Sequence, residues 1–166
     1  GYRTGEMNSP VSDPGVFKGC RILVIANALD SSNTERWMLP TPSAFTKAET
    51  GNIEEWVRNG GSLLLVADHM PFAGAVTELA GKFGFRFVNG FAITGNRTWP
   101  PSEFSVRKNS LLASPPVTGT KEDERIDSVA TFTGSAFSIP RGAAGVLRFD
   151  TGNLLQPDTA WKFNNK

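Results

Sequence analysis

Two short apolar runs constrain this chain more than anything else in it. "RILVIAN" (21–27) and "SLLLVA" (62–67) are rich in Ile, Val and Leu and have no alternating polar positions. Strands that read this way are buried on both faces, as in parallel sheets covered by helices. The segment between them carries its own punctuation. Thr46 and Glu49 have the spacing of a capping box, in which each side chain satisfies the other residue's free backbone N–H. Ile53, Trp56 and Val57 follow at i, i+3 and i+4, and "NGG" (59–61) provides the glycines that end a helix. After the second run, Val76, Leu79, Ala80 and Phe83 fall at helical spacing over 73–84, with Gly84 as the cap. Strand, helix, strand, helix in this order predicts a parallel sheet with crossover helices.

The remainder is less regular. Residues 1–19 are rich in Gly, Ser, Pro and Asp and read as a lead-in loop, and 28–45 form a long loop of the kind that often carries function. "FRFVNGFAI" (85–93) reads as a third or an edge strand, 94–124 as a Pro-rich excursion of loops. A strand is expected near Ser128–Thr133 and another in "GVLRFD" (145–150), with 151–166 a tail that either ends or continues the domain.

The chain has 166 residues, enough for one domain with a real core, and a net charge of +1 with no run of like charge. That balance gives no reason to expect nucleic acid or an anionic surface as partner. No segment approaches the roughly 18 apolar residues that a membrane span needs. One cysteine, Cys20, cannot form an internal disulfide, and at the mouth of an apolar run it reads as a buried thiol. With one histidine, His69, there is no zinc cluster of the Cys/His kind, and no motif calls for a cofactor. Trp37, Trp99 and Trp161 lie in loop-like segments and read as core caps before groove walls. "NRT" (96–98) fits a glycosylation sequon that matters only in an exported eukaryotic protein.

Ligands of open parallel sheets bind beyond the carboxyl ends of the strands. By that rule Asn27, Asp68, His69, Thr133 and Ser135 gather at one edge, with Ser43 from the long loop. The Asp68–His69 pair has two readings. It is a ligand-binding or catalytic pair, or it is the way a strand ends, with Asp68 accepting backbone N–H groups and His69 bonded to a carbonyl. A hydrolase would use His69 as base with Asp68 or Ser135 as orienter or nucleophile. "TGSAF" does not complete the G-x-S-x-G elbow, and successive strand residues diverge too much for Asp68 and His69 to share a metal.

"LVIANAL" (23–29), "LPTPSAFT" (39–46), "WVRNGGSLLLVADHMPFAGA" (56–75), "FGFRFVNGFA" (83–92) and "DSVATFTGSAF" (127–137) together resemble an uncharacterised bacterial group. That group is similar to the class I glutamine amidotransferase-like superfamily. The resemblance covers roughly residues 20–140 and implies a three-layer flavodoxin-like α/β sandwich, mostly parallel and incomplete at both ends. Superfamily members with glutaminase activity carry a cysteine nucleophile on the turn after a central strand. Here that turn carries Asp68 and His69, and no histidine follows downstream. The resemblance therefore implies a non-catalytic domain that binds a small molecule or a protein at the sheet edge. It leaves room for a homo-oligomer or for a larger chain, and it favours a periplasmic or extracellular setting over a cytoplasmic one. The alternatives are the hydrolase above and a structural or assembly role.

Overall fold

A computed structural model describes residues 1, 3–95, 101–149 and 152–161. Trp99, the 96–98 sequon, Asp150 and the last five residues lie outside these. The two apolar runs form strands β1 (Ile22–Ala26) and β2 (Ser62–Val66), which pair in parallel with Val24 opposite Leu64. The connection is α1 (Lys47–Arg58). Its capping box is complete: the Thr46 hydroxyl accepts from the Glu49 N–H at 3.3 Å, and the Glu49 carboxylate accepts from the Thr46 N–H at 2.8 Å. The helix stops where the sequence places its glycines. Gly60 has φ +101°, and a Cβ on Gly61 would stand 2.3 Å from the Trp56 indole, so only glycine lets the chain turn under that ring.

The apolar stripe of the second helical segment is buried, but the helix is broken into α2 (Phe72–Ala75) and α3 (Thr77–Gly81). Ile53 of α1 and Leu79 of α3 close over Leu23 and Phe17, with Ile25, Leu63, Leu65, Trp56 and Val57 around them. Phe17 comes from a 3₁₀ turn at Pro14–Phe17, so the lead-in segment is pinned to this core.

Beyond residue 85 the flavodoxin-like expectation fails. The expected third strand splits into β3 (Arg86–Phe87) and β4 (Phe91–Thr94), and β5 (Ser102–Ser105) follows. After α4 (Pro115–Thr118) come β6 (Ser128–Thr131), β7 (Phe137–Ser138) and β8 (Gly152–Leu155). All of these pair antiparallel, β3 with β7, β4 with β8 and β5 with β6. "GVLRFD" contributes one bridge, Leu147 to Leu111. Among the described residues β1 and β2 are the one parallel pair, and the sheets are two-stranded. The break between β3 and β4 has a local cause. Gly90 lies against the Leu155 carbonyl, where a Cβ would sit 2.4 Å from its oxygen, so β4 turns toward the C-terminal segment rather than beside β1 or β2.

The expectation that both apolar runs are buried on both faces is corrected with it. Leu23, Ile25, Leu63 and Leu65 face α1 and α3, while Ile22, Val24, Leu64 and Val66 are exposed. Period-two alternation of burial is hidden in these strands because both faces carry the same residue types. Smaller apolar clusters form elsewhere, around Met70, Phe91 and Ala160 and around Phe104, Leu111 and Val117. Several small cores take the place of one core between continuous layers.

Candidate binding site at the end of the parallel pair

Past their last paired residues β1 and β2 stay linked. The Asn27 N–H donates to the Val66 carbonyl at 2.9 Å, and the Asn27 side-chain oxygen accepts from the Asp68 N–H at 2.9 Å. Asn27 has φ +50°, a left-handed conformation that Asn tolerates better than other side-chain-bearing residues. One Asp68 carboxylate oxygen accepts from the His69 N–H at 2.8 Å and from the Thr133 hydroxyl at 3.4 Å. The Ser135 hydroxyl donates to the Ala67 carbonyl at 3.1 Å.

Asn27, Asp68, His69, Thr133 and Ser135 are therefore neighbours, although the premise that gathered them is wrong. Thr133 and Ser135 do not follow a parallel strand. They follow β6, an antiparallel partner of β5, in a segment that runs back along residues 86–92. The Val88 N–H donates to Ala136 at 2.9 Å and the Ala92 N–H to Gly134 at 2.8 Å, which sets 133–136 against the end of β2. Ser43 bonds within its own loop. Its hydroxyl makes a local turn with Phe45, donating to that carbonyl at 2.8 Å just before α1.

His69 is held on every side that the geometry describes. Its ring stacks on Phe91 with centroids 4.4 Å apart and planes at 19°, and it meets Trp37 and Phe72 at 5.9 Å each. Nδ1 contacts the Met70 carbonyl. A carbonyl can only accept, so Nδ1 is the donor in this contact and Nε2 is the ring atom turned toward Asp68. Nε2 lies 4.0 Å from the other Asp68 oxygen, too far for a hydrogen bond. The side chains of His69 and Asp68 are 16% and 38% exposed, so the carboxylate is what this edge offers to solvent. Both halves of the strand-end reading have counterparts here, the N–H bond to Asp68 and the carbonyl on His69. Asp68 does not cap α2, however, whose N-cap is Pro71 without a side-chain bond.

The aromatic wall was not legible. Trp37 stacks face to face on Trp161 at 5.3 Å and meets Phe72 edge-on at 5.0 Å. Its φ of +45° is an outlier for a bulky residue. The conformation is held by bonds at both ends: Trp37 Nε1 donates to Thr34 at 3.0 Å, and the Ala160 N–H donates to the Trp37 carbonyl at 2.9 Å. A further bond from the Leu39 N–H to the Asp158 carbonyl, 2.8 Å, ties the 30–46 loop to the C-terminal segment. Asn89 was missed too. It accepts from the Gly74 N–H at 3.1 Å and donates to the Thr41 hydroxyl at 2.9 Å, joining α2 to the same loop. These partners lie far apart in sequence and leave no local pattern. At the start of the loop, hydrogen bonds from the Ser32 hydroxyl and N–H hold the Asp30 carboxyl below the usual aspartate range.

Among the described residues no group of three or more His, Cys, Asp and Glu side chains converges as a metal site would require. No helix is long and apolar enough to cross a membrane. Family models, curated proteins and solved structures offer no match to this chain.

Proposed function

We propose that the chain is a non-catalytic binding domain whose site is the edge formed by Asn27, Asp68, His69, Thr133 and Ser135. One observation carries this reading: the hydroxyl that a hydrolase would turn toward its base is committed to backbone. The Ser135 hydroxyl donates to the Ala67 carbonyl and not to His69, whose Nδ1 contacts the Met70 carbonyl. What remains is a half-exposed carboxylate, the Asn27 NH₂ group and an aromatic wall. That set suits a small polar molecule that donates a hydroxyl or ammonium to Asp68. The turn after β2 carries no cysteine, the nucleophile that the resemblance to amidotransferases would call for, which supports the same reading.

Ligand-detected NMR with a library of small amines and polyols tests it. Hits are expected to shift the amides of Asn27, Asp68 and Thr133 and to weaken at least tenfold in Asp68→Asn. Hydrolysis of p-nitrophenyl acetate or of glutamine that disappears in both His69→Gln and Ser135→Ala would refute the proposal in favour of the hydrolase.

A further inference from the structure

Asp68 spends one carboxylate oxygen on the His69 N–H and the Thr133 hydroxyl. Its other oxygen faces His69 Nε2 at 4.0 Å, and no hydrogen bond joins the two. With Nδ1 donating to the Met70 carbonyl, Nε2 of the neutral ring is an acceptor as well. Two acceptors therefore face one another. No buried side-chain nitrogen or oxygen among the described residues lacks a partner, so both atoms are open to a molecule from solvent.

Charge narrows what that molecule is. Among the described residues the lysines and arginines that form ion pairs do so elsewhere, Arg58 and Lys82 with Glu54 and Arg125 with Asp127. Asp68 thus offers a negative charge that no lysine or arginine of the described chain neutralises.

Proton count narrows it further. A hydroxyl has one hydrogen, which satisfies one acceptor and leaves oxygen lone pairs toward the other. A quaternary ammonium has the charge but no hydrogen for either. A primary ammonium has both the charge and three N–H bonds. An atom about 2.8 Å from each acceptor, the usual length of a charge-assisted bond, sees them roughly 90° apart. That is near the tetrahedral spread of N–H directions. The Asn27 NH₂ group, on the amide whose oxygen holds the Asp68 N–H, can donate to an acceptor oxygen on the same molecule.

We propose that this edge takes a primary ammonium with a neutral hydroxyl or carbonyl on a neighbouring carbon, its nitrogen seated between Asp68 Oδ2 and His69 Nε2. The ligand's oxygen is neutral because a carboxylate there would lie beside Asp68. This assignment rests on the binding reading above and narrows its ligand to an amine.

Three probes separate the contributions. 2-Aminoethanol has the charge, the N–H donors and a hydroxyl; choline keeps the charge and hydroxyl without N–H; ethylene glycol keeps hydroxyls alone. Each is titrated at pH 7.5 and matched ionic strength to about 100 mM, since so small a ligand binds weakly. The ring resonances of His69 and the amide of Asp68 should shift saturably with 2-aminoethanol, and at least tenfold more weakly with the other two. Asp68→Asn keeps an oxygen for the His69 N–H, so it should fold with wild-type circular dichroism and lose the response to 2-aminoethanol. Should that variant not fold, salt decides: affinity of the wild-type chain must fall as ionic strength rises, and constancy would overturn the proposal. Equal response to ethylene glycol would overturn the amine and leave the binding edge standing. Equal response to choline would overturn the seat between the two acceptors. Silence with all three overturns the proposal, and the edge itself falls with it only if the wider library of amines and polyols is also silent.

Discussion

Leu23 and Val24 are neighbours in one strand, and the one-sided sheet predicts that truncating them has very different costs. Leu23 is 8% exposed and packs among Phe17, Ile53 and Leu79, whereas Val24 is 58% exposed. Leu23→Ala removes three carbons at about 0.8 kcal/mol each, about 2.2 kcal/mol after allowing for its small exposure. The cavity left between the strand and two helices raises the cost to about 3 kcal/mol. Val24→Ala removes two carbons that are less than half buried, about 0.7 kcal/mol, and opens no cavity because the site faces water. Urea unfolding followed by far-UV circular dichroism measures both, with the slope m expected to stay constant. For a chain of this length the first change corresponds to a Tm drop of about 6–12 °C and the second to about 1–3 °C. Costs within about 0.5 kcal/mol of each other, beyond the usual non-additive scatter, would refute the one-sided sheet and restore a doubly covered one.

The end of the parallel pair can be tested through Asn27→Ala, which deletes the acceptor of the Asp68 N–H and puts at φ +50° a residue that tolerates this conformation less well than Asn. A loss of about 1–2 kcal/mol is expected in chemical denaturation, and no loss would mean that this bond does not hold the site. Gly61→Ala drives a methyl into Trp56, whose ring is stacked on Phe17 at 5.1 Å and has little room to retreat. It should cost about 1–3 kcal/mol and alter tryptophan fluorescence; an unchanged Tm and spectrum would refute the close approach. Stability should also fall on acidification. Lys82 foremost, with Arg58, holds the Glu54 carboxyl below the usual glutamate range, and hydrogen bonds from Thr120 and Lys121 do the same for Glu124. Carboxyls lowered in the folded state contribute fully above about pH 4.5, and the contribution is lost as pH falls through their lowered values. Thermal melts between pH 7 and pH 3 should show this decline, shallower in Glu54→Gln and in high salt; an identical profile in that variant would contradict the assignment.

Local grammar determined the first half of this protein. The Thr46–Glu49 box, the Ile53–Trp56–Val57 stripe and the Gly60–Gly61 stop act within one or two helical turns, so residue order alone was enough to place α1 between two strands. The same holds for the pairing of β1 with β2, since a helical crossover between two apolar runs leaves a parallel ladder as its simplest result. Tertiary structure decided the rest. Whether Val24 and Leu64 are covered depends on a second helix layer, and nothing in five apolar residues records its absence. Helical spacing over 73–84 marked the buried face but not the break between α2 and α3. The site residues were found by a rule whose premise failed, because Thr133 reaches Asp68 and Ser135 reaches Ala67 through antiparallel pairing of their segment with 86–92. The aromatic wall around His69 was invisible for the same physical reason. Trp161 meets Trp37, and Trp37 and Phe91 meet His69, only because long-range backbone bonds bring distant segments together, and that information resides in contacts rather than in neighbouring residues.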